Sequence, residues 1–206
     1  MKLVALATED ALSEAIGKRL LMDAGYGFEP SPLLRKNGFG YLRSRMDSWC
    51  EMAKRKPILL ITDLDTAACP QALREDWIGN RKPAENLVLR IAVREIEAWL
   101  LADHQAFRTL IGNRGTLPPD PDLIADPKQF LLRLVAKQAR REIREDLVAN
   151  AGAIASQGVG YNSRLCQLVA TVWDPARAST RSRSLQKARN RIAELLVRIN
   201  KHQDQP

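Results

Sequence analysis

Apolar and polar positions alternate in blocks along this chain. The most informative block is Lys56-Pro57-Ile58-Leu59-Leu60-Ile61-Thr62-Asp63-Leu64-Asp65. Its four consecutive aliphatic residues predict a strand covered on both faces, as in a parallel sheet. Residues 2–8 and 86–93 predict two more strands. A helical period follows each of the three: residues 11–22 with Leu12, Ile16, Leu20 and Leu21 on one face, residues 70–78 opening on Pro70, and residues 94–103 with Ile96, Trp99 and Leu100 inward. Residues 41–54 predict a further helix, carrying Leu42, Met46, Trp49 and Cys50. Glycines and prolines break up residues 25–40, which read as a loop region with a short strand around Leu33 to Arg35. Within it, Asn37-Gly38-Phe39-Gly40 lacks the spacing of a phosphate-binding loop and predicts an ordinary turn.

Beyond residue 104 the pattern is helical. A short helix is expected at 104–111, and a connector rich in Pro and Asp at 112–126. Helices are then expected at 127–148, 161–173 and 182–200, with a flexible stretch at 152–160 and a break at 176–180. The fold class is therefore α/β, a small and mostly parallel sheet flanked by helices. Residues 1–112 form the α/β part, 113–126 a connector, and 127–206 an all-helical extension packing on it.

Charge divides along the same line. The net charge of +8 comes from the C-terminal part: residues 1–132 hold 18 Lys and Arg against 18 Asp and Glu, and residues 133–206 hold 14 against 6. A neutral catalytic part beside a basic helical part suits a polyanion held against the site, which makes Arg140, Arg141, Arg144, Arg181, Arg183 and Lys187 candidate nucleic-acid contacts. The competing reading is a solvated face, since Glu142 and Glu145 alternate with these arginines. Cys50, Cys69 and Cys166 are scattered and odd in number, so each reads as a small core residue. With His104 and His202 the only histidines, a zinc site is not expected. The apolar opening runs straight into Glu9 and Asp10 and so reads as a strand rather than a signal peptide. No apolar run approaches bilayer length, so a cytoplasmic protein with no membrane partner is expected.

The candidate chemistry lies at the strand ends. Asp63 and Asp65 are two residues apart, which on an extended backbone aims both the same way, toward the edge of a parallel sheet where ligands bind. Glu9 follows the first strand, and Glu95 and Glu97 follow the third. Converging carboxylates need a cation, and oxygen donors favour Mg²⁺, Ca²⁺ or Mn²⁺ over zinc. The plainer reading makes each acid a helix cap or a first-turn acid. In a helix Glu95 and Glu97 share no face, so only one looks into the site unless the helix begins after Glu95.

An acid after the first strand and an Asp-x-Asp after a later one resemble the TOPRIM domain, a Rossmann-like unit shared by topoisomerases, bacterial primases and the overcoming-lysogenisation-defect nucleases. Asp63-Leu64-Asp65, Cys69-Pro70, the segment Glu95-Ile96-Glu97-Ala98-Trp99-Leu100-Leu101-Ala102-Asp103, Gly160-Tyr161-Asn162 and Ser182-Arg183-Ser184-Leu185 look more closely like an uncharacterised bacterial TOPRIM-like family whose members often sit beside ATPase genes in defence-type operons. The resemblance implies a Mg²⁺-dependent nuclease. It makes Glu9 the metal-proximal general acid/base and Asp63 and Asp65 the metal ligands, with one ion expected between all three, offers Glu95 and Glu97 for a second metal position, and suggests an ATPase partner. Asp10 and Thr66 stand where TOPRIM domains carry glycine. Two rivals are a non-catalytic subunit that binds nucleic acid or an ATPase, and a haloacid-dehalogenase-like phosphatase. The phosphatases place Asp-x-Asp after the first strand, with Thr or Val at the position held here by Ala67.

Overall fold

A computed structural model describes residues 3–24, 29–35, 39–82, 85–150 and 152–201; His202 and residues 37–38 of the glycine-rich turn lie outside them. Four strands, β1 (Leu3–Thr8), β2 (Glu29–Arg35), β3 (Ile58–Asp63) and β4 (Leu87–Ala92), form one sheet in the order β2-β1-β3-β4, every pair parallel. The α/β class follows directly. β1 and β3 occupy the centre, which is why their side chains are buried nearly without interruption.

The short strand expected around Leu33 to Arg35 is the end of a longer edge strand that begins at Glu29, in a region otherwise expected as loop. Pro30 and Pro32 are tolerated in β2 because an edge strand has one side without a ladder partner. The register against β1 slips by one residue between Val4 and Leu6, which accommodates the irregular segment.

Helices cover both faces. On one side lie α1 (Ala11–Asp23) and the buried α5 (Ile96–Ala102); the other side is covered by α2 (Phe39–Ser44), α3 (Met46–Ala53) and α4 (Pro70–Ile78). Residues 41–54 are thus two helices, not one. The Trp49 indole donates to the Leu42 carbonyl at 3.0 Å, occupying an acceptor that a continuous helix would use, and the chain steps aside at Arg45. α1 lies tight on the sheet through Gly17, where a Cβ would come within 2.7 Å of Leu6 Cδ1 and 3.1 Å of Ile61 Cδ1. Gly17→Val should therefore cost about 1–3 kcal/mol in urea unfolding by overpacking a fully buried contact. A cost under half of that would mean the helix can lift freely.

α6 (His104–Ile111) follows α5 directly, and a 3₁₀ turn at Pro121–Leu123 interrupts the connector. α7 (Pro127–Gln138) and α8 (Arg141–Leu147) replace the single helix expected at 127–148. An unbroken helix would carry Leu147 about 18 Å beyond Val135, yet both are fully buried in one core, and the chain turns at Ala139 and Arg140. α9 (Tyr161–Thr171) and α11 (Arg183–Lys201) lie where expected. The supposed break contains α10 (Pro175–Ser179), capped by Asp174 with Pro175 in its first turn.

The core that holds Leu6 and Leu59 also takes in Leu131, Leu165 and Leu185, so the C-terminal helices close over the sheet. Every residue of α5 is buried, Glu97 included. Trp99 donates its indole N–H to Ser184 Oγ at 2.7 Å and accepts at its carbonyl from Trp173 at 3.1 Å, tying α5 to α11 and to the end of α9. Among the described residues no helix is long and apolar enough to cross a membrane.

Candidate active site at the carboxyl edge of the sheet

Strand order brings the acids together. β1 and β3 are neighbours, so Glu9, just past β1, lies beside Thr62 on β3, whose hydroxyl donates to Glu9 Oε1. Burial raises the Glu9 pKa, with the Asp65 and Asp10 charges adding to it against the Thr62 bond. Asp10 serves the backbone instead. Its carboxylate caps α1, accepting from the Ser13 N–H at 2.8 Å. That is the physical use of an acid at this position.

The aspartate pair departs from the expected geometry. β3 ends at Asp63, and Asp65 sits at φ 48°, in the left-handed region. The two-residue rule for extended chain therefore stops applying: Asp63 turns inward, while Asp65 is exposed. Aspartate is among the side chains that tolerate this conformation, and the turn is pinned from outside. The Leu64 and Asp65 N–H groups both donate to the Arg94 carbonyl at 2.9 and 3.0 Å, and the Arg94 guanidinium donates to the Asp65 and Ala67 carbonyls at 3.1 and 2.7 Å. Neither aspartate caps α4. Cys69, an exposed thiol rather than a core residue, accepts from the Ala72 N–H at 3.4 Å.

Asp63 is the most constrained acid. Its Oδ1 is buried with no hydrogen-bond partner among the described residues. Its pKa stands well above the ordinary value because of burial first, then the charges of Glu97, Glu9, Asp10 and Asp65. Burial also raises Asp65.

Glu95 and Glu97 part company. α5 begins at Ile96, leaving Glu95 at its N-cap, where Oε2 accepts from the Lys128 N–H at 2.8 Å in the first turn of α7. Burial raises its pKa against that bond. Glu97 faces the other way, buried, with Oε1 accepting from the Tyr161 hydroxyl at 2.6 Å. Burial lifts Glu97 to about 7, and the Tyr161 hydroxyl is raised in turn by burial and the Glu97 charge. Lys128 Nζ lies 5.2 Å over the Tyr161 ring.

A raised carboxyl pKa means that the folded state favours the proton. Stability linked to Glu97 is then fully present below the ordinary value of 4.5 and is lost as pH climbs through about 7. Glu97→Gln, which keeps an acceptor for Tyr161, should flatten this slope in the presence of chelator. By pH 8 it should exceed the wild type by on the order of 3 kcal/mol. Equal melting curves from pH 5 to 8 would show that Glu97 carries no such strain.

Glu9, Asp63, Asp65 and Glu97 thus gather at one rim with Glu95 beside them, their charges felt by one another. Among the described residues no three His, Cys, Asp or Glu side chains are arranged to hold an ion by themselves. The donors are all hard oxygens, and a magnesium ion is commonly held by one or two carboxylates, with waters and substrate phosphates completing its shell. The orphaned Asp63 Oδ1 and its Asp65 neighbour fit that smaller demand.

The predicted basic residues sit elsewhere. Arg140, Arg141 and Arg144 are exposed near or on α8, where Arg141 pairs with Glu145 at 2.7 Å; Arg181 is half-buried; Arg183 and Lys187 open α11. Four residues that shape the rim, Thr62, Arg94, Lys128 and Tyr161, have no counterpart among the sequence-predicted site residues. Thr62 and Arg94 adjoin residues already singled out, the only local sign they carried. Comparisons of the chain with family models, with curated proteins and with solved structures find no match.

Proposed function

We propose that this protein is a TOPRIM-type nuclease that hydrolyses phosphodiester bonds with a divalent cation, Mg²⁺ or Mn²⁺. The observation that carries the reading is Asp63: a buried carboxylate oxygen without a partner, ringed by further acids, at the carboxyl edge of a parallel sheet. No structural economy explains such an arrangement, whereas a hard cation would relieve it. Asp63 and Asp65 would hold the ion, with Glu97 behind Asp63. Bound there, it would offset phosphate charge and lower the pKa of an attacking water. Glu9, raised by burial and hydrogen-bonded by Thr62, would accept and return the proton. Action as the effector of an ATPase-containing defence system belongs to the same proposal. The phosphatase alternative has less support, because Asp63 ends the third strand in chain order rather than the first.

Thermal melting at pH 8 with and without Mg²⁺ or Mn²⁺, paired with cleavage of single-stranded and duplex substrates, tests the proposal. Stabilisation by both ions and ion-dependent cleavage are expected. No shift with either ion would remove the proposal's basis.

A further inference from the structure

A second charged feature lies on the opposite flank of β4 from β3. β4 is the sheet's other edge strand, and α4 and α11 rise on either side of it to leave a groove of two adjoining hollows, about 450 and 290 Å³. Leu87, Leu89 and Ile91 contribute its floor. Its walls carry Arg74, Arg90, Arg183, Lys187, Arg191 and Arg198, six cations against three acids. Two of those acids are already engaged: Glu75 accepts from Gln71 at 2.8 Å, and Asp122 accepts from Ser182 and Ser184.

Among the cations, Arg191 pairs with Glu194 and the Arg198 Nη2 donates to the Glu85 carbonyl at 2.9 Å, yet two guanidiniums keep an unmatched N–H. The Nε groups of Arg90 and Arg198 are buried with no acceptor among the described residues. Arg90 is held below its ordinary pKa by burial and then by the charges of Arg191 and Arg74. A charged residue on an edge strand commonly guards against pairing with another sheet, but that accounts for one arginine and not for six. Buried donors without acceptors beside like charges describe a site for an anion.

The spacing narrows the anion. Arg183, Lys187 and Arg191 recur every four residues along one face of α11, about one cation per helical turn. A regular ladder suits a polymer with a charge on every repeat. One end of the groove, at Pro70 and Val93, adjoins the acidic rim: Val93 is two residues from Glu95, and Arg94 between them fastens the Asp65 turn. None of the lining residues is aromatic, so bases have no stacking platform and recognition falls on the backbone.

We infer that the groove between α4 and α11 is the phosphodiester track of this protein, holding the backbone of a single nucleic-acid strand and leading it to the carboxylates. This rests on the nuclease reading for its destination, not for its binding. Only Arg183 and Lys187 of the track belong to the sequence-predicted contacts; the remaining four cations are assigned by the fold.

The test is fluorescence anisotropy of a labelled oligothymidylate and of its RNA counterpart with the full chain in EDTA, across a salt series. Arg74→Glu combined with Arg191→Glu should weaken both by at least about tenfold and lower the salt slope by ~0.7 for each phosphate left without a cation. Lys54→Glu, at the end of α3, outside the groove lining and paired with Glu51, should bind as the wild type does. Should the reversals disturb folding, judged by melting, Arg74→Gln with Arg191→Gln carries the same expectation at smaller size. Unchanged affinity in the groove variants, or no binding by the wild type, overturns the inference. So does displacement of the strand by polyglutamate at equal charge, which would make the groove a seat for an acidic protein segment. Because EDTA removes the chemistry, binding that succeeds while cleavage with Mg²⁺ fails would sink the nuclease reading alone. Cleavage that survives the groove reversals would sink the track alone.

Discussion

Asp63→Asn is expected to reduce ion-dependent strand cleavage by about a hundred- to a thousandfold, the usual effect of removing one part of a phosphate-neutralising site, while making the metal-free protein more stable. The two effects have one cause. The buried Oδ1 of Asp63 lacks a partner, and the charges facing it come from Glu97 and Glu9 as well as from Asp10 and Asp65. An amide keeps the shape and discards the charge, so the gain should be of the size common when a functional strain is relieved, about 0.5–2 kcal/mol. Its sign follows from the raised pKa. The native carboxyl holds its proton above the ordinary 3.8, so the wild type loses stability as pH rises beyond that value, and the advantage of asparagine grows with it. Below the ordinary value the two proteins should melt alike. Mg²⁺ should narrow the difference at pH 8 by stabilising the wild type alone. A variant that cleaves normally would remove Asp63 from the chemistry, and one that melts lower at pH 8 would show that the carboxylate is satisfied in the fold.

Asp103→Ala should have the largest effect on stability, with no acid of the rim touched. Asp103 closes the fully buried α5, and its side chain is about 1% exposed. One oxygen accepts from the Ala106 N–H at 3.3 Å and caps α6, the other accepts from the Asp174 N–H at 2.8 Å, and the Arg177 fork grips both at 3.0 and 2.8 Å. Three elements thus depend on one carboxylate. Arg177 is more than a third exposed and can turn to water when its partner is removed, so little of the cost comes from its charge. The missing cap and the orphaned Asp174 N–H remain, together about 2–4 kcal/mol. Asp103→Asn keeps the cap and loses the fork, so it should fall between. Urea midpoints for the three proteins decide the matter. A cost below about 0.5 kcal/mol for alanine would mean that α10 is anchored by its apolar contacts alone.

The Glu95–Asp103 segment, which carries much of the resemblance to the TOPRIM-like family, is mostly scaffold. Asp103 and Trp99 hold helices together through Arg177, Ser184 and Trp173, and Glu95 steadies the start of α7. Of its acids only Glu97 turns to Asp63. A motif that reads as one unit in sequence therefore divides in space between scaffold and rim.

What the chain determined by itself was whatever acts over three or four residues. The aliphatic run of β3, the period of α1 and the Pro70 start of α4 lie where the sequence put them, because buried-face periods and helix starts are local physics. That acids stand at three strand ends was equally legible. Breaks within helices were not, since the turns at Arg45 and Ala139 answer to a tryptophan ring and a distant core. Nor was the left-handed Asp65, held by Arg94 from 29 residues away. Tertiary structure alone decided that β1 lies beside β3, which sets Glu9 against Thr62, and that α11 returns to β4 so that Arg198 reaches the Glu85 carbonyl 113 residues back. Strand order and crossover are fixed by which apolar faces bury one another across the whole chain. The acidic rim could therefore be foreseen in its parts, while its geometry and the basic groove beside it emerge only on folding.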